Sequence, residues 1–220
     1  MDNAGFSNYL TYNIKISIKE VKIMNTKKIA LTIILAVFIF PGIVQGANTS
    51  IGINVGSSEA EGWLDTQINP YNTPLVLGAG FLYSDDDYWI ANAHMNIKDE
   101  IFTPGLSLGL GFKGVFGEVE IRDVDYEVGA LCFQFLGDYD FRKNTTQLPI
   151  SISVSFSGAP KLMSFRDTER YIEFEGSFNF HINKSATAFA GYRIIDIRFE
   201  EPVERDWDDD AVFAGIRMSF

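Results

Sequence analysis

The 220-residue sequence has little cysteine and little positive charge, and each shortage excludes a class of protein. The single cysteine, Cys132, cannot form an internal disulfide, so we expect a buried free thiol and no disulfide framework. Lysine and arginine number 18 against 29 acidic residues, for a formal net charge of −11. Because nucleic-acid phosphates need a basic surface, this balance argues against nucleic acid as a partner.

Long apolar runs are also scarce, and the one that is present lies near the N-terminus. The run from Ile29 to Phe40 follows Lys27 and Lys28 and is too short to span a bilayer as a helix. These flanks predict a secretory signal peptide at 24–46, cleaved after Gly46, which leaves one domain at 47–220. Residues 1–23 fit no part of a signal peptide, so we interpret them as a misassigned start, with Met24 as the initiator, or as a non-native extension.

The rest of the chain alternates between apolar and polar residues with a period of two. In "PISISVSFS" at 149–157, isoleucine, valine and phenylalanine alternate with serine, and "YIEFEGSFNFHI" at 171–182 follows the same pattern. A soluble sandwich alternates too, but here serine, asparagine, glycine, glutamate and histidine fill the second face along strands of about ten residues. That face would strand many polar groups in a dry core, whereas a barrel lumen can hydrate or pair them.

We therefore predict an all-β fold, a transmembrane antiparallel β-barrel. The strands from Leu75 to Phe220 number about eight, and "SIGINVG" and "WLDTQIN" would raise the count to about ten. An outer-membrane barrel with both termini in the periplasm needs an even number of strands, so ten is preferred. Eight is the alternative if the segment before Leu75 stays outside the barrel.

Two segments leave their geometry open or need an irregularity, and two connections differ in predicted length. In "YEVGALCFQF" either Leu131, Phe133 and Phe135 or the set containing Cys132 can face outward, and the former is favoured. A bulge near Ile194 would keep apolar residues outward on both sides of it. "EEPVERDWDDD" at 200–210 reads as a long outside loop, and "INKS" at 182–185 as a short periplasmic turn.

Three stretches together resemble a known family. "FLYSDDDYWIANA", the strand "AGYRIIDIRFE" and the terminal "AGIRMSF" resemble the YfaZ family of outer-membrane proteins, from about Ser50 to Phe220. The resemblance implies an outer-membrane β-barrel of a Gram-negative bacterium. It implies no catalytic residues and no substrate.

Charged residues on the predicted lumen face form the first candidate site. Glu173, Glu175, Arg193 and Arg217 lie on three consecutive strands, where opposite charges either pair and fill a narrow barrel or line a conducting pore. Pairing is the preferred interpretation.

Acidic and aromatic residues are expected at the outer rim. Weak metal candidates there are Asp85, Asp86, Asp87, Asp208, Asp209 and Asp210, which could share a divalent cation with lipopolysaccharide, although a solvated acidic loop is the preferred interpretation and we expect no resident metal or cofactor. Tyr83, Tyr88, Trp89 and Trp207 would form an aromatic girdle at that level.

The terminal strand carries a further candidate site, a signal for insertion into the membrane. Ile216, Met218 and Phe220 would face lipid, and the aromatic carboxyl terminus would be the signal that the barrel-assembly machinery recognises. The expected partners are therefore that machinery, outer-membrane lipid and lipopolysaccharide.

The composition of the two faces favours a small porin-like or structural protein of the outer membrane, without enzymatic activity. His94 and His181 fall on lumen positions, so a barrel enzyme acting on lipid or peptide is one alternative. The other is a soluble periplasmic barrel that binds a small apolar ligand, which would need an apolar lumen and polar outer faces.

Overall fold

The computed structural model describes residues 48–69, 74–85, 88–122, 124–143, 148–200 and 205–220. The predicted signal peptide and the segment interpreted as a misassigned start lie outside the described residues. Within the described ranges the chain is almost entirely β-strand, with short 3₁₀ turns at Phe141–Lys143 and Lys161–Met163. No helix in these ranges is long and apolar enough to cross a bilayer.

The described residues form ten strands in chain order. They are β1 (Asn48–Gly56), β2 (Glu59–Ile68), β3 (Leu75–Ser84), β4 (Tyr88–Glu100), β5 (Leu106–Ile121), β6 (Val124–Asp140), β7 (Ile150–Ala159), β8 (Thr168–His181), β9 (Ala186–Phe199) and β10 (Arg205–Ser219).

Each strand pairs antiparallel with the next, and β1 pairs with β10, so the sheet closes into a barrel. The closing ladder runs from Ser50 opposite Ser219 to Gly56 opposite Phe213. The prediction of ten strands is confirmed, because both segments before Leu75 are part of the barrel. Closure also removes the exposed strand edges that an open sheet would present.

The barrel has two distinct ends. At the terminal end, where β1 begins and β10 finishes, the connections are 69–74, 101–105, 141–149 and 182–185. At the opposite end, called the distal end, the connections are 57–58, 85–87, 122–123, 160–167 and 200–204. The "INKS" turn lies at the terminal end, and its assignment to the periplasmic side stays a prediction.

The outer face of the barrel is apolar and exposed. On β5 the outward positions run from Leu106 to Phe116, about 33 Å along the strand at about 3.3 Å per residue. At the tilt of about 40° common in such barrels, this length covers a band about 25 Å tall, which matches a bilayer's hydrocarbon layer. Outward apolar side chains that are two-fifths or more exposed include Ile53, Val55, Leu77, Met95, Ile97, Leu108, Leu110, Phe112, Leu131, Phe133, Phe135, Ile152, Val154, Phe156, Phe174, Phe178, Phe180, Val212 and Ile216.

The predicted bulge near Ile194 is wrong. The ladder from β9 to β10 is continuous, with Arg193 opposite Ala211, Ile194 opposite Asp210 and Ile195 opposite Asp209. An unbroken alternation turns Ile195 inward and leaves Asp196 outside. The register shift next to β9 lies instead on β8, between Thr168 and Arg170.

The distal loop before β10 is shorter than predicted. β10 begins at Arg205, and Trp207 and Asp208 pair with Ile197 and Asp196. Trp207 also packs against Tyr88, with ring centroids 5.0 Å apart. These contacts extend the strand through a stretch whose acidic composition suggests a loop.

Candidate functional site in the barrel lumen

The distal half of the lumen is filled by a packed apolar cluster. Val115, Val119, Val128, Ile197 and Phe199 are all completely inaccessible to solvent. Including these five, the apolar cluster comprises Leu82, Tyr88, Ile90, Val115, Val119, Val128, Ala130, Cys132, Ala159, Tyr171, Ile195, Ile197 and Phe199. Protein interiors packed in this way leave few voids larger than a water molecule, so this half of the lumen has the character of a soluble protein's core.

Cys132 lies within the apolar cluster as a buried free thiol. Its position follows from the register of β6, which turns Leu131 and Phe133 outward, as predicted.

Buried ion pairs follow directly after the apolar cluster along the strands. The next inward position after Val115 on β5 is Lys113, and the next after Ile195 on β9 is Arg193. The ion-pair layer, as this group is called here, comprises Glu59, Glu61, Lys113, Glu173 and Arg193.

Each cation in the ion-pair layer is held by carboxylates on other strands. Lys113 Nζ donates to both carboxylate oxygens of Glu173 at 2.7 Å. Arg193 donates to Glu59 at 2.5 Å and to Glu61 at 2.6 Å, and its guanidinium lies 5.6 Å from the centre of the Phe213 ring. Charge-assisted hydrogen bonds of this kind compensate the cost of burying the charges.

Two tyrosines connect the apolar cluster to the ion-pair layer. The Tyr171 hydroxyl donates to Glu173 at 2.6 Å. The Tyr88 hydroxyl lies 3.0 Å from a Glu59 carboxylate oxygen and 2.6 Å from one of Asp209. The two layers therefore share hydrogen-bonded boundary residues, with no gap between them at these positions.

The four residues predicted as a lumen network all face inward, but they do not pair with one another. Glu173 and Arg193 belong to the ion-pair layer, whereas Glu175 and Arg217 line a cavity. Their partners Glu59, Glu61 and Lys113 were missed. Glu59 and Glu61 alternate on β2 as Glu173 and Glu175 do on β8, which is the signal that could have found them.

A polar cavity of about 410 Å³ occupies the terminal half of the lumen. Its wall includes Asn48, Gln67 and Ser219, which lie at the terminal ends of their strands, so the cavity reaches that rim. Deeper in, its lining includes Glu61, Lys113 and Glu173, so the ion-pair layer forms part of its wall. Serine and asparagine are the commonest residues in the remaining lining, in keeping with the serine and asparagine that the sequence predicted for the lumen.

Trp63 forms an aromatic part of the cavity wall together with Phe189. Their ring centroids lie 5.5 Å apart in an edge-to-face arrangement. Gly52 makes this position available, because a Cβ there would lie 2.1 Å from the Trp63 ring.

The two histidines both face inward and lie in different surroundings. His94 Nε2 lies 3.2 Å from Asp65 in the cavity wall. His181 contacts the hydroxyls of Ser151 at 3.0 Å and Thr187 at 3.1 Å. A serine hydrolase orients its histidine with a carboxylate, whereas a hydroxyl takes that position beside His181.

The acidic metal candidates are divided between the two faces of β10. Asp208 and Asp210 face outward, Asp209 faces inward towards Tyr88, and Asp86 and Asp87 lie outside the described residues. Asp85 donates its backbone N–H to the Ser58 carbonyl. Among the residues that the structure describes, no three acidic, histidine or cysteine side chains are grouped to hold a metal ion.

The aromatic girdle is only half as predicted. Tyr83 and Trp89 face outward as a register pair, but Tyr88 and Trp207 point inward and pack against each other. The inward positions of Tyr88 and Trp207 and the missing bulge at Ile194 have one cause. The distal part of the lumen is apolar, so it accepts aromatic and aliphatic side chains that were predicted to face outward.

The rims of the barrel carry further ion pairs. At the terminal rim Arg142 forms a two-pronged contact with Asp140, at 2.9 and 2.7 Å, and these hydrogen bonds hold the pKa of Asp140 below its usual value. At the distal end Arg198 donates to Asp206 at 2.7 Å and lowers the pKa of that carboxyl.

The terminal strand presents its apolar residues to the outside. Val212, Ile216, Met218 and Phe220 are 47 to 69% exposed, whereas Arg217 faces the lumen. The residues predicted as an insertion signal therefore share one outward face.

Comparison with known proteins gives only distant similarity. No protein-family model and no curated protein matches the sequence. Among solved structures, the KdgM porin is 9% identical with a TM-score of 0.42, over 79% of this chain and 99% of that one. Neisserial surface protein A is 9% identical with a TM-score of 0.36, over 79% and 94% of the two chains. OmpT of Vibrio cholerae, expressed in the outer membrane, is 10% identical with a TM-score of 0.37, over 74% and 56%.

Similarity at this level identifies neither a family nor a ligand. The resemblance to the YfaZ family stays a prediction. In its own geometry the chain is a closed barrel of ten antiparallel strands with an apolar outer face.

Proposed function

We propose that this protein is a small outer-membrane β-barrel of the YfaZ type whose lumen does not form an open channel. In this proposal residues 24–46 direct export, Phe220 and its strand engage the barrel-assembly machinery, and the outer face contacts lipid and lipopolysaccharide. The protein acts as a structural or ligand-holding barrel, and we assign it no catalytic activity.

The membrane location is supported by the exposed apolar band. Exposed leucine, isoleucine and phenylalanine side chains cover the outer face on strand after strand, far beyond the patch of a few hundred Å² that soluble monomers expose. A closed barrel satisfies its backbone groups within the sheet, as the hydrocarbon layer requires. A soluble barrel with a small apolar ligand would show the opposite arrangement of faces.

The observation that carries the closed lumen is the apolar cluster with the ion-pair layer beside it. A hydrated ion passing the lumen would have to cross side chains such as Val115, Val128 and Ile197, which have no solvent-accessible surface. The buried hydrogen bonds of Arg193 and Lys113 tie the next layer together across strands. Passage from the polar cavity to the distal end would require both layers to open.

The test is conductance of the refolded protein in a planar bilayer. Heat-modifiable gel mobility establishes that the barrel is folded, and we then expect no discrete channels. A matched chemical test uses single cysteines in a Cys132→Ala background, with a small, charged, water-soluble thiol reagent. Ser177→Cys, in the cavity wall, should react readily, whereas Ile197→Cys, in the apolar cluster, should stay unreacted.

Discrete, reproducible channels from folded barrels would overturn the closed lumen. Fractionation of the mature protein away from the outer membrane would overturn the location.

A further inference from the structure

The polar cavity has a charge distribution that its own residues do not balance. Five carboxylates line it, from Glu61, Asp65, Asp138, Glu173 and Glu175, against the three cations Lys98, Lys113 and Arg217. A wall with this excess of acidic groups favours a cationic ligand over an anionic one.

The pairing within the wall locates the excess charge. Asp138 is held by Lys98 at 2.6 Å, and Glu173 and Glu61 are held by the cations of the ion-pair layer. Asp65 lies 3.2 Å from His94, and Arg217, which makes no ion pair with the described residues, lies near the terminal rim, opposite Thr187. Glu175, by contrast, makes no hydrogen bond or ion pair with any residue that the structure describes. It lies near the two cations of the ion-pair layer, and the hydrogen bonds of those cations go to Glu173, Glu59 and Glu61 rather than to Glu175.

A second observation is independent of the charges. Asn54 and Asn96 are 3% and 2% exposed and both line the cavity. The amide nitrogen of each donates a hydrogen bond, to Glu61 at 3.0 Å and to Gln134 at 2.8 Å. The Oδ1 atom of each is an acceptor without a partner in the described part of the chain. Buried acceptors without partners are costly, and a donor-rich ligand would remove that cost.

The aromatic part of the wall narrows the chemistry of the ligand. Trp63 and Phe189 line the same cavity as Glu175. Indole and phenyl faces attract organic cations, and they pack against an alkyl chain better than against a hydrated inorganic ion.

We propose that the cavity binds a small organic cation, a primary amine with a short alkyl body, entering from the terminal end. This inference rests on the proposed function, in which the lumen is closed at its distal end. The ammonium group carries three donors and no acceptor, which suits a site with an unpaired carboxylate and spare amide oxygens. Glu175 supplies the charge partner, and Trp63 contacts the alkyl body.

The proposal is tested by the fluorescence of Trp63 in the full barrel. The chain has three tryptophans, so Trp89→Phe and Trp207→Phe leave Trp63 as the reporter. Butylamine titrated into the folded protein in detergent micelles should change the emission of Trp63 in a saturable way. 1-Butanol, the neutral analogue of equal length, and butyrate, the anionic one, should give no saturable change.

Glu175→Gln keeps the size of the side chain and removes its charge. It should weaken butylamine binding at least about tenfold, since a charge-assisted contact is replaced by a neutral one. Glu127→Gln is the matched control, because it makes the same change at an outward site that pairs with Arg166 at the distal end. It should leave binding unchanged.

Equal responses to butylamine and 1-butanol, or unchanged binding in Glu175→Gln, would overturn the proposal. So would the absence of any saturable response in a barrel that gel mobility shows to be folded. These failures are distinguishable from failure of the closed lumen, which only conductance reports. A folded, non-conducting barrel that ignores butylamine would leave the proposed function standing and remove the amine site alone.

Discussion

The two halves of the lumen are built on the same strands but carry opposite chemistry. On β6 the inward positions Val128, Ala130 and Cys132 are apolar and fully buried, and the next inward position is Gln134 in the wall of the polar cavity. On β9 the sequence of inward residues changes in the same way, from Ile197 and Ile195 to Arg193. The same change on two strands that are separated by β7 and β8 divides the lumen into two layers.

The difference assigns different tasks to the two halves. The distal half excludes water and gains stability from packing, as a soluble core does. The terminal half keeps buried amide oxygens without partners among the described residues, a cost to folding that the proposed ligand would remove. Between them, Arg193 and Lys113 have their charges compensated by carboxylates, and the boundary is expected to be the most sensitive part of the lumen.

Breaking the boundary should have the largest effect on stability. Arg193→Met removes the cation that holds both Glu59 and Glu61 and leaves two buried carboxylates without it. We expect the free energy of unfolding to fall by about 3–5 kcal/mol, as measured by urea denaturation in lipid vesicles.

The control for this change is Arg217→Met, which deletes a cation from the cavity wall. Arg217 makes no ion pair with the described residues, so its loss should cost much less. Equal losses for the two variants would show that the ion-pair layer is no more important than the cavity wall.

A neighbouring pair on β9 tests whether the distal half is a true core. Ile195→Ala creates a cavity inside the apolar cluster, where Ile195 is 2% exposed, and should cost about 2–5 kcal/mol. Ile194→Ala makes the same change on the outward face, where mobile lipid can fill the space, and should cost less than half as much. The same urea titration measures both variants, and comparable losses would contradict a packed distal lumen.

Two tyrosine hydroxyls that contact carboxylates, one in the lumen and one on the outer face, allow a finer comparison of what such a hydrogen bond contributes to stability. Tyr88→Phe removes the hydroxyl that contacts Glu59 and Asp209 in the lumen, and should cost about 1.5–3 kcal/mol. Tyr192→Phe removes an outward hydroxyl 3.0 Å from Asp210 and should stay within about 0.5 kcal/mol of the parent. If both variants cost the same, the Tyr88 contacts do not link the two layers energetically.

Much of the barrel could be predicted because its alternation is regular. A period of two fixes which face each residue occupies, and an even strand number follows from placing both termini in the periplasm. Ten strands and the outward set on β6 were therefore accessible from the residues alone. The segment "WLDTQIN" needed parity as well, since its own composition is weak for a strand.

The division of the lumen was not predicted, because alternation says which face a residue occupies but not what fills that face. Ile90 interrupts the polar face of β4, and the apolar residues after Ile194 change phase. Both positions point into the apolar cluster. The partners of Arg193 lie more than 130 residues earlier in the chain, a pairing that only barrel closure brings together.

The smallest expected change in stability comes from an ion pair at the rim of the barrel, which can be compared with the buried pairs of the interior. Hydrogen bonds from Arg142 lower the pKa of Asp140 in the folded state, so this contact contributes stability above the unfolded carboxyl's pKa of about 3.9. That contribution is lost as the pH falls through the lower folded pKa. Because the pair is partly exposed, Asp140→Asn should remove only about 0.2–1 kcal/mol at neutral pH and leave the barrel slightly less sensitive to acid.

Urea titrations at neutral pH and near pH 3 measure this difference in the parent and the variant. Asp206→Asn, which breaks the exposed pair with Arg198 at the distal end, is the matched control and should change the acid response even less. If replacing either rim aspartate changed the acid sensitivity of the free energy of unfolding more than Arg193→Met does, surface charges would dominate the barrel's stability. Such a result would contradict the view that the buried ion-pair layer joins the two halves of the lumen.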